Sequence, residues 1–198
     1  KAAGVPDKLK ALCTELLRYG AKAQIYKNYR VDELADAMMT DSHKAYLSDI
    51  NAVKFGNTNN TMDDLANASV KWVGKSLNLD SKVCLKFIFS MGTYTGNLED
   101  LTLRVRYADT QGVEKTLTLS NAELYNAKLS YYAFTLDALL AAELRSVVSV
   151  QIYNGEIPVS HTLQYSADTY GNNKTGTLLE LCKALFAYSD SAKAYFAS

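Results

Sequence analysis

From Lys82 to Met91 every second residue is large and apolar: Val83, Leu85, Phe87, Phe89 and Met91 share one face of an extended chain. The same period returns at Leu101, Leu103, Val105 and Tyr107, set against Thr102, Arg104, Arg106 and Ala108. It returns again at Val148, Val150 and Ile152, set against Ser149, Gln151 and Tyr153. Further strands are expected over 113–119, 129–135 and 157–165, with a short helical turn over 136–145. Neighbouring side chains of a strand point to opposite faces, so strict alternation means one face in a core and the other in water. Several such strands separated by turn residues predict an antiparallel β-sandwich.

The two ends follow a different period and resemble each other. LCTELLRYGAKAQIY, residues 12–26, aligns without gaps on LCKALFAYSDSAKAY, residues 181–195. Leu12 matches Leu181, Cys13 matches Cys182, Leu16 matches Leu185, Tyr19 matches Tyr188, Ala23 matches Ala192 and Tyr26 matches Tyr195. Apart from the adjacent Leu-Cys pair, these positions advance by three or four residues, which places them along one face of a helix. The expectation is two amphipathic helices docking by the same stripe, within a larger parent built of repeated units. The second helix should begin near Thr177, with Thr175 or Thr177 as its N-cap, after the loop Gly171–Gly176. The fold class that follows is α+β: a sandwich-like antiparallel core with N- and C-terminal helices.

Between the first helix and the strands the pattern weakens. VDELADAMM, residues 31–39, suggests a short helix, and 44–55 a second short piece. Asn57–Thr61 has turn chemistry, is expected to be an exposed loop, and contains an Asn-x-Thr glycosylation acceptor at Asn59. The expected division is a helical segment and loop over 1–60 and a β-rich domain over 61–198. The abrupt opening Lys1-Ala2-Ala3-Gly4 suggests an excised fragment without a signal peptide of its own.

Composition narrows the partners. Lys+Arg and Asp+Glu both number 21, so no general field draws the chain to nucleic acid or an anionic membrane. No apolar run approaches the roughly 18 residues that span a bilayer. The 3 cysteines, Cys13, Cys84 and Cys182, show no zinc spacing and sit at apolar positions, so all three are expected to be reduced and at least partly buried. Tyrosine is over-represented, with 14 Tyr against 6 Phe and 1 Trp, and its apolar ring with a polar tip suits half-buried surfaces and polar ligands.

Signals for catalysis are sparse. His43 lies in a polar segment and His161 in an expected strand, and neither belongs to a metal-binding or nucleophile motif. Asp63-Asp64 and Glu99-Asp100 are adjacent and point apart in extended chain. Asp41, Asp63 and Asp64 lack the spacing of a calcium loop. No catalytic residue, cofactor or metal is therefore expected. Binding has better candidates, because sugar rings stack on flat side chains while hydroxyls take hydrogen bonds from polar neighbours. Trp72 is the single indole, with Val70 on its face and Lys71, Val73 and Lys75 opposite, a placement that also suits the core. Tyr94 stands in a loop and is expected to be exposed; Tyr131 and Tyr132 are consecutive, so one must point outward. Arg104, Arg106, Gln151 and Tyr153 lie on the polar faces of their strands and would form one platform if those strands are neighbours. An ordinary solvated sheet face is the competing reading.

The ending TLQYSADTY…LLELCKALFAYSDSAKAYF resembles a module of surface and secreted proteins of gut and rumen Firmicutes. In that family a β-domain ends in Leu-x-Tyr-Ser and is followed by a helix with Leu-Cys/Val-Lys-Ala-Leu, a Tyr-Gly step and a closing Ala-x-x-Tyr-Phe. Tyr165-Ser166 and Leu181–Leu185 match; Ser189 replaces the glycine that the first copy keeps at Gly20. The resemblance covers roughly 8–26 and 69–198 and implies an architecture, with no catalytic motif to carry over. Such modules stand beside dockerins, adhesion repeats and carbohydrate-binding domains, including starch-binding systems. It implies a secreted or cell-surface, non-catalytic accessory module that binds polysaccharide, starch and other α-glucans among the candidates, beside other modules of a parent chain. A structural spacer or protein-interaction module is the alternative.

Overall fold

The computed structural model describes residues 5–80 and 82–197; the opening Lys1–Gly4, taken from the sequence as the cut end of a fragment, lies outside them. The chain divides into two compact units. A β unit comprises Asn57–Leu139 and Ser146–Thr169, and a helical unit comprises the residues through Gly56, Leu140–Arg145 and the chain from Tyr170 onward.

The β unit is an antiparallel sandwich. One sheet has the order β1 (Asn59–Thr61), β10 (Leu163–Ser166), β8 (Val147–Asn154), β4 (Leu101–Ala108) and β5 (Glu114–Leu119), with β9 (Ile157–Pro158) on β8. The other has the order β2 (Lys71–Asn78), β3 (Cys84–Ser90), β7 (Tyr131–Leu136) and β6 (Glu123–Asn126). The alternating residues behave as their period requires: Leu103, Val105, Val150 and Ile152 of one sheet and Leu85, Phe87, Phe89, Phe134 and Leu136 of the other are buried. Phe87 bridges the layers, its ring edge-on to Tyr165 at 6.4 Å. Burying such side chains contributes about 1.5–3 kcal/mol each, enough to drive the two faces together.

Three local expectations are corrected here. The segment 157–165 is two strands, because Pro158 has no N–H for a ladder and the chain curls away after it. Ser160 then turns inward and its Oγ accepts from the Ile152 N–H at 2.8 Å, replacing the lost strand bond. The exposed loop expected over 57–61 contains the edge strand β1, in which Asn59 pairs with Tyr165. Lys75 leaves the face of Lys71: the register shifts between Trp72 and Gly74, and Lys75 lies opposite Phe87, half-buried. A bulge inserts one residue and flips every later side chain to the other face.

In the helical unit α1 (Asp7–Lys27) and α3 (Gly176–Phe196) pack side by side. Lys22 meets Glu180 and Tyr19 stacks on Tyr188, so the helices run antiparallel. The two stacked tyrosines are equivalent positions of the repeat, their rings 6.1 Å apart and 5° from parallel. Helix α3 buries Leu181, Cys182, Leu185 and Ala192, as expected. Helix α1 departs from expectation: it buries Thr14, Glu15, Arg18 and Ala21, leaves Cys13 exposed and Leu16 47% exposed. The reason is a polar anchor. Arg18 meets Glu15 at 2.5 Å, and both hold Ser48, whose N–H and hydroxyl donate to Glu15 at 2.8 Å and whose carbonyl accepts from Arg18 at 2.8 Å. Once this cluster is turned inward, the repeated stripe is rotated toward solvent.

VDELADAMM is a run of turns instead of a helix. The Gln24 side chain donates to the Glu33 carbonyl at 3.0 Å and accepts from the Ala35 N–H at 2.7 Å, satisfying backbone groups that a helix would otherwise pair. The one helical turn nearby, α2 (Asp41–Lys44), starts at the N-cap Thr40. Helix α3 begins at Gly176 after Thr175, which makes no side-chain capping bond.

Candidate functional site

The register of the larger sheet decides which candidates meet. Arg104 of β4 lies opposite Gln151 of β8 and Thr118 of β5, and Arg106 lies opposite Ser149 and Thr116. Directly opposed residues of an antiparallel pair share a face, so these six side chains form two cross-strand rows on the solvent side. Tyr153 stands two residues beyond Gln151, opposite Thr102. Four candidates, Arg104, Arg106, Gln151 and Tyr153, therefore belong to one patch. With Thr116, Ser149 and Val150 they line a hollow of about 200 Å³.

Most of this patch is held in place by its own hydrogen bonds. The Gln151 Nε2 donates to the Ser160 carbonyl at 2.9 Å, and Gln151 Oε1 accepts from the Tyr153 hydroxyl at 2.9 Å. The Arg104 guanidinium lies over the Tyr153 ring, 4.0 Å from its centre. It also donates to the Gly155 carbonyl at 3.0 Å and meets the Glu156 carboxylate at 2.7 Å. Both partners come from the tight turn between β8 and β9, where Gly155 has φ of +58°, a conformation that favours glycine. Arg106 is different: it is exposed and its side chain makes no hydrogen bond or ion pair among the described residues.

The other candidates lie elsewhere. Trp72 is half-buried in the smaller sheet, edge-on to Phe87, and its Nε1 donates to the His161 carbonyl at 2.8 Å. Tyr131 and Tyr132 are both half-buried in that same sheet, Tyr132 with its ring 5.9 Å from Phe89. Tyr94 is not the exposed loop residue expected. It is half-buried, with its ring against Gly96 and its hydroxyl beside Asn154, shielded from solvent without a well-formed hydrogen bond. Burial, reinforced by the Asp100 carboxylate, raises its phenol above the usual range. A glycine at 96 makes the inward turn possible, since a Cβ there would lie 2.4 Å from the hydroxyl.

Two further clusters were not legible in the sequence. His161 sits in the break between β9 and β10, outside any strand, with its ring nitrogens 3.7 Å from Asp63 and 3.6 Å from Asp64. Asp64 also accepts from the Thr162 N–H at 2.9 Å; burial works against its charge, but the bonds from Thr162 and the nearby His161 hold its carboxyl below the usual range. The solvent face of the smaller sheet carries a polar hollow of about 420 Å³ lined by Lys82, Lys86, Glu123 and Asp137 among others. There Lys82 pairs with Asp137 and Lys86 lies over Tyr125, so its cations already have partners. Among the described residues no group of three or more His, Cys, Asp or Glu side chains is placed to hold a metal ion. No described helix is long and apolar enough to cross a membrane. Comparison with protein-family models, with curated proteins and with solved structures gives no match.

Proposed function

We propose that this chain is a non-catalytic accessory module of a bacterial surface or secreted protein, and that its β unit binds carbohydrate on the solvent face of β4, β5 and β8. The observation that carries the reading is the convergence of Arg104, Arg106, Gln151 and Tyr153 in one hollow, where Arg104, Gln151 and Tyr153 are held in place by bonds within the protein. Fixed donors lose little rotamer freedom on binding, which is how a small patch gains useful affinity. The family resemblance of the C-terminal helix and its preceding strand supports the extracellular setting and suggests α-glucans among the ligands to test.

Affinity electrophoresis and pull-down on starch, cellulose, xylan and mucin test this directly. Retention on at least one polysaccharide, weakened by replacing Gln151 and Arg106 with alanine, is the expected result. Failure on all of them would favour a spacer or protein-interaction module. One observation already speaks for that second reading: α1 presents Leu16, Leu17 and Cys13 to solvent at positions whose repeat equivalents in α3 include the buried Leu185 and Cys182.

A further inference from the structure

The proposed carbohydrate site contains one group with no work in the fold. Arg106 sits in mid-strand between the hydroxyls of Thr116 and Ser149, its guanidinium unpaired among the described residues. Arg104, two residues along the same face, is about 7 Å away by strand geometry. No carboxylate lines the hollow; Glu156 at its rim is drawn to Arg104, and Glu114, opposite Ala108 on β5, shares the face of Arg106 without forming an ion pair with it. Like charges left side by side on a sheet repel, and a chain with no excess of basic residues has many acids to place beside an arginine. The Arg106 guanidinium pairs with none of them among the described residues.

The aromatic side of the patch points the same way. A neutral sugar is gripped by stacking on a ring face, but the Arg104 guanidinium already covers one face of Tyr153. The Tyr153 hydroxyl proton is taken by Gln151, and one Gln151 N–H is taken by the Ser160 carbonyl. The cation that remains open is Arg106, a fork of N–H donors flanked by the hydroxyl residues Thr116 and Ser149. A guanidinium fork matches the two oxygens of a carboxylate, and the flanking hydroxyls match the ring hydroxyls of a sugar.

We propose that the site selects an acidic saccharide: a uronic-acid or other carboxylate-bearing glycan whose carboxylate is taken by Arg106, with Thr116 and Ser149 bonding the adjacent hydroxyls. This deepens the carbohydrate reading and rests on it. Glu156 then acts as a rim charge that opposes the ligand and keeps Arg104 folded onto Tyr153.

The test is affinity electrophoresis of the whole chain in gels of polygalacturonate, of the same polymer with its carboxylates methyl-esterified, of starch and of polyaspartate, repeated with Arg106→Gln, Arg106→Lys and Glu156→Gln. Retention by polygalacturonate is expected, with loss on esterification and weakening as salt rises. Arg106→Gln should weaken it at least about tenfold, because a charge-assisted pair is lost, while Arg106→Lys restores part of it. Glu156→Gln should strengthen it, a gain that damage to the fold cannot produce. Unfolding midpoints equal to the parent's verify that each variant is folded. Retention by starch or esterified polymer that ignores Arg106 would overturn the acidic-ligand inference and leave carbohydrate binding standing. Retention by none of the glycans would overturn both. Equal retention by polyaspartate would show a general anion site and overturn the saccharide assignment.

Discussion

Leu16 and Leu185 occupy the same position of the internal repeat, yet truncating them should have very different consequences. Leu185 is 1% exposed, enclosed on all sides of its side chain. Leu185→Ala removes three carbons from that setting and leaves a hole that the neighbours only partly fill, a change that costs about 2–5 kcal/mol. Leu16 is 47% exposed. Its truncation gives up about half the burial of three carbons and encloses no cavity; at about 0.8 kcal/mol per buried CH₂ the loss is about 1 kcal/mol. Alanine's better helix propensity offsets a few tenths of that. Lys183→Ala serves as the surface control and should fall within about 0.5 kcal/mol of the parent. Urea denaturation followed by far-UV circular dichroism reports on both helices and gives all three values. A Leu16→Ala cost equal to that of Leu185→Ala would refute the reasoning, because the repeated stripe of α1 would then be buried in solution as it is in α3. A Leu185→Ala cost as small as the Lys183→Ala control would refute it from the other side.

The thiols offer two further checks. In native protein a colorimetric thiol reagent should label Cys13 promptly and reach Cys84 and Cys182 only after denaturant is added, since Cys13 alone of the three is exposed. Burial pushes the Cys182 thiol from 9.0 up to about 11, so between these values the folded chain keeps a proton that the unfolded chain releases. Stability should therefore fall as pH rises from about 9 through about 11. Cys182→Ala should flatten that part of the profile, and an unchanged slope would count against the burial of the thiol.

The convergence of the platform was only half legible. Arg104, Arg106, Gln151 and Tyr153 could be placed on polar strand faces from alternation alone, because the side-chain period of a strand is two whatever the strand pairs with. That β4 and β8 are neighbours, and that Arg104 lies opposite Gln151, is a matter of long-range pairing that no local pattern encodes. Tyr94 shows the converse. Its loop was legible from Thr95, Gly96 and Asn97, but the direction of its ring depends on the space that Gly96 leaves open. Lys75 was misplaced by the simple alternation rule, since one extra residue in β2 reverses the faces and carries little signature in sequence. His161 was expected in a strand because the apolar pattern continues past Pro158; the break and the approach of Asp63 and Asp64 follow from where the chain turns next.

The sequence by itself determined the α+β class, the sandwich faces and the existence of two related helices, because hydrophobic period is a local property and burial of the apolar face follows from it. Tertiary structure alone decided which face of each helix is buried. In α3 the apolar stripe won, as hydrophobic burial predicts. In α1 the cluster of Glu15, Arg18 and Ser48 turned the helix another way, since a buried ion pair needs further hydrogen-bond partners to offset its desolvation, and Ser48, which supplies them, lies far along the chain from both.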